Sequence, residues 1–331
     1  MGAASSNLPQ KKPVLPKAVI SIVLQAVNYE EGSCIKGVIN LNVLQKINTP
    51  RIFLKISGSE KLELQHGGKL LQRQNNFLRD LVPIYEFPDY VVHQGDYVIP
   101  FNLQLPKILP GSFSFDKAQI HYKIRAVLPV GETHKIKCVQ SIQILQKNRD
   151  LLPGAELPFR DCHTNKRYVR SRILLDKPGY MLQEPLTFAL EVKNETKRKI
   201  KKIQIRISRE LLYDLKGVND KKIDILSIVE KPTEILASTE YLNHKAVSFR
   251  MPISKEATPD IPTTDGEFIS CHYKLEVFKS GSWRKAPKLL AECYFRILPQ
   301  LMNYPTAPKL PSTWNPIYLT PLISDSFISA F

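Results

Sequence analysis

Short runs of alternating apolar and polar residues recur along this chain. Phe101, Leu103 and Leu105 alternate with Asn102 and Gln104, and Ile120, Tyr122, Ile124 and Ala126 alternate with His121, Lys123 and Arg125. A period of two predicts strands with one buried face. Between the two runs, Pro106, Pro110 and Gly111 interrupt any ladder and force a loop. The same unit returns later: Phe249 to Pro252, a loop holding Pro259 and Pro262, then Ile269 to Val277. The triplet His-Tyr-Lys stands at 121–123 and again at 272–274, 151 positions apart (272 − 121). A repeat of that length implies two similar domains and not a solenoid.

The other strands follow the same rule. Val19 to Leu24 is a β-rich run; Ile39, Leu41 and Val43 form one face, as do Ile52, Leu54 and Ile56. Ile136 to Leu145 closes the first half. In the second half, Leu186, Phe188, Leu190 and Val192 line up, then Ile203, Ile205 and Ile207, and Leu289 to Leu298 closes it. Residues 69–90 lack a clear period and read as a long connection; residues 211–245 are less regular. No segment offers a long amphipathic helix. Many short strands between turn signals predict an all-β protein of two immunoglobulin-like antiparallel β-sandwich domains joined by a short hinge. The expected divisions are a flexible start (1–14), an N-domain (15–147), a linker (148–165) marked by Pro153, Gly154 and Pro158, a C-domain (166–300) and a tail (301–331).

Composition narrows the function. The chain has 331 residues, enough for two cores, and 25 prolines suit many loops. Lys and Arg number 47 against 31 acids, a net charge of +16, which points to anionic partners. The five cysteines, at 34, 138, 162, 271 and 293, are odd in number and scattered. That is no disulfide framework, and with neither a signal peptide nor an apolar run of membrane-spanning length it predicts a reducing, cytosolic setting. Cys162-His163 and Cys271-His272 lack a second ligand pair at zinc spacing. No phosphate-binding glycine loop, nucleophile elbow or His-Glu-x-x-His is present, so neither catalysis nor a metal or cofactor is expected.

The order of these signals resembles the arrestins, and among them the α-arrestins, or arrestin-domain-containing proteins. Three blocks carry the resemblance: Gly32-Ser33-Cys34-Ile35-Lys36-Gly37-Val38-Ile39; Ile99-Pro100-Phe101 through Leu105-Pro106, Leu109 to Phe113 and Ile120 to Ala126; and Gly179-Tyr180 through Val192 to Thr196. The second block is the specific one. The resemblance covers about Val19 to Leu298. It implies a non-catalytic adaptor that binds cytoplasmic regions of membrane proteins and couples them to endocytic or ubiquitin-dependent sorting, through ubiquitin ligases, ESCRT-I or clathrin adaptors. It places the protein in the cytoplasm, peripheral on the plasma membrane or endosomes. A retromer subunit of the same fold makes the alternative a structural component of an endosomal coat. The tail contains no Pro-Pro-x-Tyr, the motif with which α-arrestins recruit WW-domain ligases. The buried charged cluster with which visual and β-arrestins sense phosphate has no residue-by-residue counterpart here.

Four short features complete the candidate sites. Met1-Gly2 followed by Ala3-Ala4-Ser5-Ser6 fits N-myristoylation at Gly2, with Lys11, Lys12 and Lys17 behind it as a second membrane signal. Between Lys193 and Arg209 lie eight basic residues and one acid; Lys197, Arg198, Lys199, Lys201, Lys202 and Arg206 are the expected anionic-membrane patch. A solvated strand face with edge lysines accounts for them equally well. Interleaved aromatics are absent, so no nucleic acid is expected. Pro305-Thr306-Ala307-Pro308 matches the motif that binds the ubiquitin-recognising subunit of ESCRT-I. Asn315, Pro316 and Tyr318 form an Asn-Pro-x-Tyr turn motif of the kind read by phosphotyrosine-binding and clathrin-adaptor domains; a chain end packed back on a domain is the competing reading.

Overall fold

A computed structural model describes residues 17–146, 160–164, 167–177, 179–215, 218–254, 261–281, 286–298, 312–313 and 315–320. Among these residues there is no α-helix; the regular structure is strand, with two single 3-10 turns. The first half contains β1 (Ala18–Leu24), β2 (Asn28–Glu30), β3 (Cys34–Val43), β4 (Ile47–Asn48), β5 (Arg51–His66), β6 (Lys69–Glu86), β7 (Val91–Val92), β8 (Gly95–Gln104), β9 (Phe113–Phe115), β10 (Ala118–Val130) and β11 (His134–Leu145). The second half contains β12 (Arg160–Thr164), β13 (Arg167–Leu175), β14 (Gly179–Tyr180), β15 (Pro185–Asn194), β16 (Ile200–Leu215), β17 (Val218–Ile235), β18 (Thr239–Tyr241), β19 (Val247–Pro252), β20 (Thr264–Asp265), β21 (Ile269–Lys279) and β22 (Lys288–Ile297). The last strand, β23 (Ile317–Tyr318), returns to the first half.

Each half is a sandwich. In the first, sheet β1-β3-β8-β23 packs on sheet β2-β11-β10-β5-β6, with β9 branching from β10. In the second, β12-β13-β15-β18, with β19 on β15, packs on β14-β22-β21-β16-β17, with β20 on β21. The alternation read from the sequence is the burial observed. Ile120, Tyr122, Ile124 and Ala126 are buried on β10, and Cys271, Tyr273, Leu275 and Val277 on β21. Their polar neighbours face outward.

The repeat holds strand by strand. Tyr122 sits in the centre of β10 between β11 and β5; Tyr273 sits in the centre of β21 between β22 and β16. Each buried tyrosine donates its hydroxyl to a carbonyl twelve residues earlier, Tyr122 to Pro110 (2.6 Å) and Tyr273 to Ile261 (2.5 Å). The proline-marked loops are therefore tied to the sheet by the same bond in both halves. A short parallel strand completes each large sheet, β2 on β11 and β14 on β22.

Two long segments differ from the sequence reading. Residues 69–86, taken above as a connection, form the 18-residue strand β6. It is the edge of its sheet, and its first twelve residues are exposed or half-buried throughout. One face of its outer half meets the second sandwich through the polar side chains of Arg73 and Asn75, so no apolar alternation marks it. β17, in the irregular stretch 211–245, is the matching edge strand of the second sandwich, and Ile223, Ile225 and Ile228 are exposed on it. The connection after Asn194 crosses from one sheet to the other, β15 and β16 lying in different sheets. Asn194 organises that crossing, donating to the carbonyls of Arg198 (3.0 Å) and Leu236 (2.8 Å) while its Oδ1 accepts from Thr196 Oγ1 (2.7 Å).

Candidate interaction surfaces and the junction between sandwiches

The two sandwiches meet where the β20–β21 turn of the second docks on the first. Glu60 of β5 is fully buried there, although it carries a carboxyl group. Its two oxygens accept the backbone amides of Glu267 (3.0 Å) and Phe268 (3.1 Å). Burial pushes the Glu60 carboxyl above its ordinary range, against the backbone amides that favour its charge. Gly266 makes the approach possible, because a Cβ there would collide with the Glu60 carboxylate and with Ile120. Around this centre, Arg73 of β6 bonds Glu267 (2.5 Å) and stacks 4.7 Å from the Phe268 ring centroid, and Asn75 also donates to Glu267. Gln146 Oε1 accepts from Asp265 N (2.8 Å), and Thr264 Oγ1 donates to Gly111 O (2.8 Å). On the other side of β10, Phe115 of β9 receives the cations of Arg209 and Lys222 at 5.3 and 5.6 Å.

A groove of about 1050 Å³ opens beside this junction. Ile56, Phe77, Leu105 and Ile108 give it apolar walls, and Glu60 and Gly266 also line it. Ile108 is 70% exposed at its mouth.

The outer faces of the two large sheets differ in charge. On the second sandwich, cations are matched by acids. Arg206 Nε bonds Glu276 at 2.7 Å, Lys274 bonds Glu292 at 2.6 Å, and Arg160 pairs with Glu292 as well. The Glu292 carboxyl is pushed up by burial, yet Lys274 and Arg160 hold it below its ordinary range. On the first sandwich, Lys55, Lys123 and Arg125 point outward together, with Arg79, Lys135 and Lys137 around them. No ion pair is formed by any of these six among the described residues.

The residues singled out from sequence fall in several places. Gly2, Lys11, Lys12 and the Pro305-Thr306-Ala307-Pro308 segment lie outside the described residues. Lys17 is exposed just before β1. Lys197, Arg198, Lys199, Lys201 and Lys202 are exposed at the crossing from β15 to β16, whereas Arg206 is occupied by Glu276. Asn315 and Pro316 lead into β23, where Ile317 and Tyr318 pair in parallel with Tyr97 and Val98 on β8, and Leu319 N donates to Val98 O (2.9 Å). The Asn-Pro-x-Tyr segment is thus an added strand with Tyr318 74% exposed, and not a tight turn. Glu60, Gly266 and the Lys55–Arg125 face escaped the sequence reading. The outward cations of β10 were visible in the alternation; their lack of partners was not.

Among the described residues, no group of three or more His, Cys, Asp or Glu is placed to hold a metal. The buried thiols of Cys271 and Cys293 are both pushed up to about 12 by burial, which disfavours the reactive thiolate. No described helix is long and apolar enough to cross a membrane.

Comparison with known proteins accords with this architecture. Residues 20–149 match the family model for "Arrestin (or S-antigen), N-terminal domain", and residues 166–298 match that for "Arrestin (or S-antigen), C-terminal domain". Among curated proteins, "Arrestin domain-containing protein A" of Dictyostelium discoideum is 25% identical over 211 residues, covering 56% of this chain and 36% of that protein. The chain therefore spans little more than a third of that relative's length. With a domain model matched on each of its two sandwiches, the chain belongs to the arrestin family.

Proposed function

We propose that this chain is a non-catalytic adaptor that links cytoplasmic segments of membrane proteins to endocytic and ubiquitin-dependent sorting machinery. Family membership supports an adaptor role in general. The observation that carries the reading is the pairing of one bare cationic sheet face with one charge-matched face on two sandwiches fastened at a polar junction. Such a body offers a broad surface on which a partner can dock. The exposed lysines at 197, 199, 201 and 202, with Lys17, suit contact with an anionic membrane near the cargo. Acylation of Gly2, with Lys11 and Lys12, would hold the protein there. The Pro305–Pro308 motif would deliver cargo to ESCRT-I, and the exposed Tyr318 strand would serve a clathrin adaptor once released from β8.

The test is quantitative surface biotinylation in cells with and without the protein. Loss should raise the surface level and lower the ubiquitylation of a defined set of membrane proteins. Re-expression should reverse both, less well with Gly2→Ala or with Pro305→Ala and Pro308→Ala together. If no membrane protein changes and the protein instead purifies in fixed stoichiometry with a stable coat complex, the structural coat reading replaces this one.

A further inference from the structure

The long edge strands of the two large sheets are used differently. β6 meets the other sandwich through Arg73 and Asn75 in its outer half. β17 pairs with β16 alone, and no described strand bonds its other side. Its outward row carries Ile223, Ile225 and Ile228, which are 54, 52 and 48% exposed. In register they stand beside Glu210, Ser208 and Arg206 of β16, so the apolar row belongs to the outermost strand itself. A long free edge bearing apolar side chains invites a further strand, and three such residues in one row make a patch.

The charges around this row decide which strand fits. A bulge at Leu226 shifts the alternation by one residue, so Lys221, Ile223 and Ile225 before it share the outer face with Ile228 and Glu230 after it. A second β17 laid antiparallel, with a twofold axis at the bulge, brings Ile223 opposite Ile228 and Lys221 opposite Glu230 on that face. On the inner face the same register sets Asp220 opposite Lys231. Each contact occurs twice, once on either side of the axis. Opposite charges and paired β-branched residues directly across a ladder are favourable. Sliding one strand by two residues sets Lys222 opposite Lys231 and Ile223 opposite Glu230; sliding it the other way sets Lys221 opposite Ile228. A slide by one turns the apolar row against the inner face. The lysines thus deter unselective pairing and leave one register in which they meet acids.

We propose that β17 pairs with β17 of a second copy of this chain, joining the large sheets of two second sandwiches into one continuous sheet across a twofold axis. Such an interface uses the same patch on both copies and closes at two. Lys221 bonds Glu210 of its own chain at 3.2 Å, an acid that remains its partner in the monomer. The proposal goes beyond the adaptor reading and does not rest on it. Its consequence is that any cargo surface is presented twice on one particle, which raises avidity without a new contact.

The experiment is sedimentation equilibrium of the full chain at about 1 to 100 µM. One strand on each side is a small interface, so the dimer should be half-dissociated at about 10 µM, with no larger species. Ile223→Lys with Ile228→Lys should fold, because both side chains already face water, and should weaken the dimer about tenfold or more. Lys221→Glu alone and Glu230→Lys alone each set like charges across the ladder, and each should weaken it too. Mixed in equal amounts, these two single variants should regain the dimer, because every substituted position then meets its opposite charge. A loss of fold could not produce that recovery. Should a charge variant fail to fold by circular dichroism, the isoleucine pair carries the test. A chain that stays monomeric to about 100 µM leaves the edge to another partner and overturns the proposal. So do a dimer unchanged by the isoleucine pair, growth beyond two copies, and folded charge variants that do not recover on mixing.

Discussion

The first and second sandwiches are built on one plan and differ where the plan leaves a choice. Positions 151 residues apart occupy the same register: Ile56 and Ile207, Tyr122 and Tyr273, Lys123 and Lys274. Inward positions keep their character, because both cores need apolar or aromatic residues there. Positions 58 and 60 are the exceptions. Gly58 lets Phe77 close over Tyr122 with ring centroids 5.6 Å apart, and a Cβ would lie 2.7 Å from Phe77 and 2.8 Å from Tyr122. Its counterpart Arg209 lies opposite Tyr273, buried, bonded to Asp224 at 2.8 Å and stacked on Phe115 of the other sandwich. Glu60 and Leu211 form a similar pair, one anchoring the junction and the other filling a core. Packing inside a sandwich thus tolerates little divergence, while residues at the junction and on the outer faces diverge according to what they meet.

The comparison can be broken most forcefully at Arg209. Arg209→Ala leaves Asp224 without its buried partner and removes the contact with Phe115, and should cost about 3 kcal/mol in chemical denaturation. A loss below about 1 kcal/mol would mean that the pair is no more than a surface contact. Gly58→Ala tests the opposite solution at the same register. Overpacking against two rings should cost about 2 kcal/mol, with loss of the near-ultraviolet signal of Tyr122. An unchanged denaturation midpoint would show that Phe77 moves aside freely.

Symmetry itself is tested by Tyr122→Phe and Tyr273→Phe. Each strands one loop carbonyl, and each should cost about 1 kcal/mol. Unequal losses would show that the two proline-marked loops are not held alike. The smallest effect concerns Glu60. Its folded-state range is raised, so its ionisation opposes folding at neutral pH, and that penalty is lost as pH falls through the raised range. Between pH 7 and 5 the thermal midpoint of the natural chain should therefore rise relative to Glu60→Leu, which carries the residue of the other sandwich and does not titrate. His121, lowered by burial and Lys123, works in the opposite direction in both proteins and cancels in the difference. Parallel pH profiles for the two proteins would remove Glu60 from the linkage.

The sequence by itself determined the strands with one wet and one buried face, the two-sandwich plan and the equivalence of His121-Tyr122-Lys123 with His272-Tyr273-Lys274. Alternation is a local signal wherever a strand divides core from water, and the aromatic and proline positions mark where the ladder stops. Tertiary structure decided the rest. β6 and β17 are strands because a neighbour supplies hydrogen bonds on one side, which a wet edge does not write into its side chains. Glu60 reads as an outlier on β5 until the amides of Glu267 and Phe268, more than two hundred residues away, arrive to bond it. Tyr318 becomes a strand residue because β8 has a free edge. Arg206 and Lys55 look alike as basic residues on outward faces, and only the neighbouring strand distinguishes them, with Glu276 beside one and Arg125 beside the other. Electrostatic partnership depends on a few ångströms between strands distant in the chain, so it is fixed by the fold and not by local pattern.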